Sequence, residues 1–98
     1  MERNEFIPLE VFCSQCNVTN SFVEIMAEAG WIEIIRIEEK YFIPERQLAD
    51  AERLARLNTD LEINPEGIDV VMTLLQRMQK MQQEITVLQD QLRLYKDD

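Results

Sequence analysis

The sequence predicts a mostly α-helical fold: a small body of short helices carrying one short β-hairpin, followed by a long C-terminal helix. Three observations point to it. Val71, Leu74, Met78, Met81, Ile85, Leu88, Leu92 and Tyr95 are spaced 3, 4, 3, 4, 3, 4 and 3 residues apart, a sustained heptad pattern with every a and d position apolar. Glycine and proline number only 2 and 3 in 98 residues, too few for the tight turns of an all-β chain. The strongest concentration of β-branched residues is confined to Trp31-Ile32-Glu33-Ile34-Ile35-Arg36-Ile37, which leaves room for a hairpin and little more.

Taken in order, Pro8-Leu9-Glu10-Val11-Phe12-Cys13 reads as a first helix with proline in its opening turn, where a missing N–H costs nothing. Asn17 marks a turn. Thr19 or Asn20 then caps a second helix, Ser21 to Ala29, and Gly30 stands where a helix end wants positive φ. Val23, Met26, Ala27 and Gly30 share one face of that helix. In the Trp31–Ile37 segment Ile32 and Ile34 alternate in one phase and Ile35 and Ile37 in the other, so a bulge or twist is expected near Ile34. After Glu38-Glu39-Lys40 the chain resumes as Tyr41-Phe42-Ile43 and stops at Pro44, which completes a two-stranded hairpin. A third helix from Glu45 to about Asp60 turns Leu48, Ala51, Leu54, Ala55, Leu57 and Leu61 inward. Asn64 then caps the last helix, with Pro65 in its first position, and that helix continues almost to Lys96. Residues 1–67 thus form the body and 68–98 the long helix, within one structural domain.

A body of this size cannot cover a seam of about 45 Å, at 1.5 Å of rise per residue. Met78, Met81, Ile85, Leu88, Leu92 and Tyr95 are therefore expected to pack on a second copy, giving a homo-oligomer, a dimer in the simplest case. The flanking e and g positions encode no charge pattern that selects a helix orientation, and Val87 and Leu94 widen the apolar face.

Nineteen acidic residues against ten basic give a net charge of −9 with no histidine. That balance opposes phosphate-driven binding of nucleic acid and adsorption to anionic membranes, and suits a basic protein partner. Without histidine the commonest general base and metal ligand is missing. No window reaches the apolar length of a membrane span, and Met1-Glu2-Arg3-Asn4-Glu5 lacks the pattern of a signal peptide. The expectation is a cytoplasmic, non-enzymatic protein with no cofactor. Cys13-Ser14-Gln15-Cys16 offers two of the four ligands a structural zinc site needs. No metal is expected: Cys13 reads as a small buried residue and Cys16 as part of a turn. Glu24/Glu28 and Glu38/Glu39 could pair as acid and base only in a pocket that shifts one of them, and no pocket is legible. Solvated faces are the default.

The stretch from Asn17-Val18-Thr19 to Gly30-Trp31-Ile32, the hairpin, Leu48 to Leu57, and Leu61-Glu62-Ile63-Asn64-Pro65-Glu66-Gly67-Ile68 together resemble the MerR-like winged helix-turn-helix, with the hairpin as wing. This topological resemblance covers residues 6–75 and rests on loose individual motifs. Within that group the chain is most similar to the chaperone-modulator CbpM family, through Phe12-Cys13 at the end of the first helix, an aromatic wing end, and the Pro65-Glu66-Gly67-Ile68 start of the last helix. The resemblance implies binding to the J-domain of a DnaJ/CbpA-like co-chaperone and restraint of its activity. It also implies a departure from DNA-binding relatives: Glu24 stands where they carry a basic residue, and the arginine of their wing is replaced around Phe42. On this reading Phe22, Glu24, Ile25 and Glu28 form the partner-binding face, with Phe22 and Ile25 either anchoring the partner or widening the core contact. The alternative is a dimeric DNA-binding transcriptional regulator that uses Arg36 and Lys40 on the wing.

Overall fold

A computed structural model describes residues 5–96; the outer limits of the expected body (1–4) and long helix (97–98) lie outside the described residues. Strand β1 (Phe6–Pro8) leads directly into helix α1 (Leu9–Cys16), and α2 (Asn20–Glu28) follows after a short turn. Strands β2 (Ile35–Ile37) and β3 (Lys40–Pro44) form the hairpin, a 3₁₀ turn spans Glu45–Gln47, and α3 (Leu48–Thr59) and α4 (Pro65–Lys96) complete the chain. The expected mostly helical fold with a short hairpin and a long last helix is observed.

The hairpin belongs to a three-stranded antiparallel sheet in the order β1-β3-β2. Ile7 stands opposite Ile43, Pro8 and Ile35 both oppose Phe42, and Ile37 opposes Lys40. The first strand was not expected. It is three residues long and gains regularity only by pairing with β3, far away in sequence. Pro8 consequently precedes α1 as its N-cap instead of opening the helix, and residues 31–34 lie outside β2.

Local signals account for most helix ends. Asn17 takes a left-handed φ of 61° at the end of α1, so Cys16 is the last helical residue and Asn17 makes the turn. The Thr19 hydroxyl accepts the Phe22 N–H at 3.0 Å, which caps α2, and Gly30 relaxes the exit with φ 89°. The Asn64 side chain accepts the Gly67 N–H at 2.7 Å at the start of α4. The hairpin turn departs from its usual chemistry: Glu38 and Glu39 hold φ of 51° and 69°, positions where asparagine and glycine are favoured.

Phe12, Val23, Met26, Ile43, Leu54 and Ile68 centre the core, and among the described residues no polar side chain is buried within it. Ile68 ties α4 to the body, and the Trp31 indole N–H donates to Asp69 at 2.6 Å across the same junction. Leu61 was expected inward but is 63% exposed, because α3 ends at Thr59 and the chain leaves the core surface before reaching it.

Candidate functional site

Helix α2 presents its core arc and its outer arc cleanly. Val23 and Met26 are buried, Ile25 is partly buried at the core edge, and Glu24 and Glu28 are exposed one turn apart. Phe22 corrects the sequence reading: it is 2% exposed and belongs to the core. The buried arc is rotated toward Phe22 by about 45° from the Val23/Met26/Ala27/Gly30 stripe, roughly half of the 100° step between residues. The widened-core alternative is the one that holds for Phe22. Glu24, Ile25 and Glu28 are left as the accessible set, and no lysine or arginine occurs in α2.

The second predicted cluster lies along one helix. Met78, Met81, Ile85, Leu88, Leu92 and Tyr95 are all exposed on α4, with Ile85 the least open at 46% and Tyr95 the most at 82%. Leu74 and Leu75 continue the apolar surface toward the body, where Val71 and Met72 are partly covered.

One concavity escaped the sequence reading. A groove of about 440 Å³ opens where β1 ends and β3 runs on into the hairpin, lined by Glu10, Asn20, Glu39, Tyr41 and Phe42 among others. Its walls come from β1, α1, α2 and β3, which are far apart in sequence, so no local pattern announces it.

Both cysteines are free thiols on α1, Cys13 buried and Cys16 partly so. The Cys13 thiol is buried and donates to the Asn20 side-chain oxygen at 3.2 Å. Burial, then the neighbouring Cys16, pushes the Cys13 thiol above its ordinary value. Burial and the Glu52 carboxylate raise that of Cys16, partly opposed by Arg56. Such thiols are weak nucleophiles near neutral pH. Among the described residues no group of three or more histidine, cysteine or acidic side chains is placed to hold a metal ion, and no helix is long and apolar enough to cross a membrane.

Residues 7–90 match the family described as MerR HTH family regulatory protein. The chain is also 26% identical over 87 residues to the chaperone modulatory protein CbpM of Pseudomonas putida, an alignment that spans 88% of this chain and 86% of that relative. The matched segment takes in the helix pair α1–α2, the β2–β3 wing and most of α4. By that match and that arrangement the chain, similar to CbpM over most of its length, belongs to the MerR HTH family.

Proposed function

We propose that this protein is a non-enzymatic cytoplasmic adaptor that binds the J-domain of a DnaJ/CbpA-like co-chaperone and restrains its stimulation of a heat-shock ATPase. One observation carries the reading: α2, the helix that a DNA-binding relative would offer to the duplex, exposes Glu24 and Glu28 and contains no cation. Phosphate contacts require the opposite charge. The wing does not compensate, since Arg36 and Lys40 are balanced by Glu38 and Glu39 in the same hairpin. An acidic helix is suited to the basic helix of a J-domain, where complementary fields speed encounter and fix orientation. The similarity to a chaperone modulatory protein over most of both chains supports the same partner class.

Glu24 and Glu28 meet the basic partner, and Ile25 supplies apolar contact at the edge of the same face. Phe22 acts from beneath by holding α2 in place. The α4 seam joins two copies, so that the active unit is a dimer with two such faces. The test is calorimetry with the purified co-chaperone, coupled to an ATPase assay. Glu24→Lys with Glu28→Lys should weaken binding at least tenfold and relieve inhibition without lowering the melting temperature. Absence of binding by the wild-type protein, together with salt-sensitive binding to promoter DNA, would return the assignment to a transcriptional regulator.

A further inference from the structure

Residues 31–34 join α2 to the wing and have the side chains of a strand, yet they lie outside β2. Each of the four is committed to a neighbour instead. Ile32 is 3% exposed in the core, and Ile34 packs against it. The Glu33 N–H donates to the Gln47 side-chain oxygen at 2.9 Å, and the Glu33 carboxylate accepts from Arg46, so this strap is fastened to the turn before α3. Trp31 fastens the other end: its indole N–H donates to the Asp69 carboxylate of α4 at 2.6 Å. The Trp31 backbone N–H meanwhile bonds the Met26 carbonyl at 2.9 Å, next to a bond of 3.0 Å from the Gly30 N–H to the Ala27 carbonyl. One residue thus closes α2 and ties it to α4.

Core packing alone leaves α2 one loose coordinate. The helix has nine residues, and its buried side chains, Phe22, Val23 and Met26, are all apolar. Apolar burial is non-directional, so it resists lifting the helix more than turning it about its own axis. At a side-chain radius of about 5–6 Å, a turn of about 20° carries the Glu24 and Glu28 carboxylates about 2 Å. Charge-assisted hydrogen bonds hold only near about 2.7–2.9 Å, so such a turn loses them. Directional bonds prevent it, and among the described residues two join the side chains of α2 and its exit to other helices. At the start the Cys13 thiol, a weak donor, bonds the Asn20 oxygen at 3.2 Å. At the end the Trp31 indole meets a carboxylate, a shorter and charge-assisted contact.

We infer that Trp31 is the positioning residue of the α2 face: through Asp69 it sets the rotation of α2 on α4, and with it the places of Glu24 and Glu28, before a basic partner arrives. This rests on the adaptor reading and adds to it the device that holds the acids ready. Carboxylates ordered on folding need no further ordering when the partner docks, which strengthens binding without any new contact. Trp31 packs on the core and Asp69 is half-buried, so neither has to touch the partner to act.

The test uses the full chain. Trp31→Phe keeps an aromatic ring on the core and removes the donor, Asp69→Ala removes the acceptor, and Asp69→Asn keeps a weaker one. Asp69 is half-buried, so its variants report even if Trp31→Phe lowers the melting temperature. Trp31 is the single tryptophan of the chain, so its indole N–H gives one resonance. That proton should exchange with water slowly in wild type and Asp69→Asn, and at least about tenfold faster in Asp69→Ala. Purified full-length DnaJ-like co-chaperone, titrated by calorimetry, should bind Trp31→Phe and Asp69→Ala about tenfold more weakly than wild type, and Asp69→Asn within about threefold. The double variant Trp31→Phe/Asp69→Ala should be no weaker than either single change, since both break the same bond. Residual dipolar couplings should show α2 turned against α4 in these three weakened variants. A purely structural role would lower the melting temperature and leave the affinity and the couplings of the folded protein unchanged. Wild-type affinity in both single variants, or losses that add in the double variant, would overturn the inference; the adaptor reading would stand as long as the wild-type protein binds. Failure of the wild-type protein to bind the co-chaperone would remove the adaptor reading. The couplings would then decide alone: a turned α2 in Trp31→Phe and Asp69→Ala supports the positioning role, and an unmoved one rejects it.

Discussion

In the body, apolar residues from Leu9 to Ile68 are buried against one another with no polar side chain among them, whereas every residue of α4 from Thr73 to Lys96 is exposed. Both regions are rich in leucine, isoleucine and methionine. They differ in where the matching surface resides. The body closes its core with elements of its own chain, and the long helix extends beyond them with its apolar seam uncovered. The radius of gyration is 18.1 Å, against about 13 Å for a compact chain of this length. The excess is the projecting helix. One region therefore has an intrinsic stability, while the proposed pairing of α4 with a second copy would make the stability of the other depend on protein concentration.

The largest effect should come from breaking the seam. Ile85→Asp with Leu88→Asp puts two carboxylates where a second helix would desolvate them, at a cost of several kcal/mol each. Self-association should weaken by more than about a thousandfold, equivalent to about 4 kcal/mol, and sedimentation should report a monomer. The thermal transition of the body should survive, because neither residue touches the core. A wild-type protein that already sediments as a monomer at tens of micromolar would sink this contrast.

The converse substitution acts on the body. Phe12 is 1% exposed at the centre of the core, and Phe12→Ala should cost about 3–5 kcal/mol in lost transfer energy and cavity. That is a large share of a small domain's total stability. Leu88→Ala, an equally drastic truncation on the exposed seam, should leave the unfolding midpoint of a dilute, monomeric sample within about 0.5 kcal/mol of wild type. Denaturant melts at low and high protein concentration separate the two cases.

The two regions also differed in how well the sequence announced them. The long helix was legible because a heptad repeat is a local property, and Asn64-Pro65 marks its start with an ordinary cap. Strand β1 was not legible, because three residues ending in proline carry no period and become a strand only against Ile43 and its neighbours. The hairpin was located but its turn was not, since Glu38-Glu39 takes left-handed backbone without the residues that signal it. At α2 the helix was placed to within one residue at each end, Thr19 is the cap of the two candidates, with Asn20 already inside the helix, and the acids fell on the outer arc as expected. Phe22 was misplaced because a four-residue stripe fixes a helix's rotation only to within about half a residue step. The groove was invisible for a related reason: its lining residues, from Pro8 to Phe42, meet only in the folded chain.

A smaller effect tests the junction between the regions. The Asn64 side chain caps α4 through the Gly67 N–H, and Asn64→Ala should cost about 1 kcal/mol. Because the cap lies at the body end of α4, the loss should appear in the unfolding of the body and leave the dissociation constant of the dimer nearly unchanged. Gly67→Ala probes the same turn, since a Cβ there would come within 2.9 Å of Ile63 Cγ2 and 3.1 Å of Asn64 Oδ1. A fall in dimer affinity as large as the fall in body stability would mean that the seam reads the start of the helix, and that the two regions are coupled.

The smallest effect separates them by pH. Both thiols lie on α1 in the body, and α4 contains none. Burial is the leading cause that raises Cys13 and Cys16 above 9.0, with like charge from Cys16 and Glu52 adding to it. In the folded state the protons are held more tightly than in the unfolded chain. The stabilisation is then complete below the unfolded thiol value and is lost as pH rises through the folded one. Body stability should be flat with respect to these groups from pH 6 to 8 and should decline above about pH 9, with a slope well under the limit of about 1.4 kcal/mol per pH unit for one proton. The diagnostic is the difference between wild type and Cys13→Ser/Cys16→Ser. The double variant should start less stable, because a hydroxyl replaces a buried thiol beside Asn20, and should show a shallower alkaline decline. Thiol labelling of the native protein at neutral pH should be slow and should accelerate only on unfolding. Fast labelling of Cys13 would show that α1 opens away from the core more readily than its packing implies.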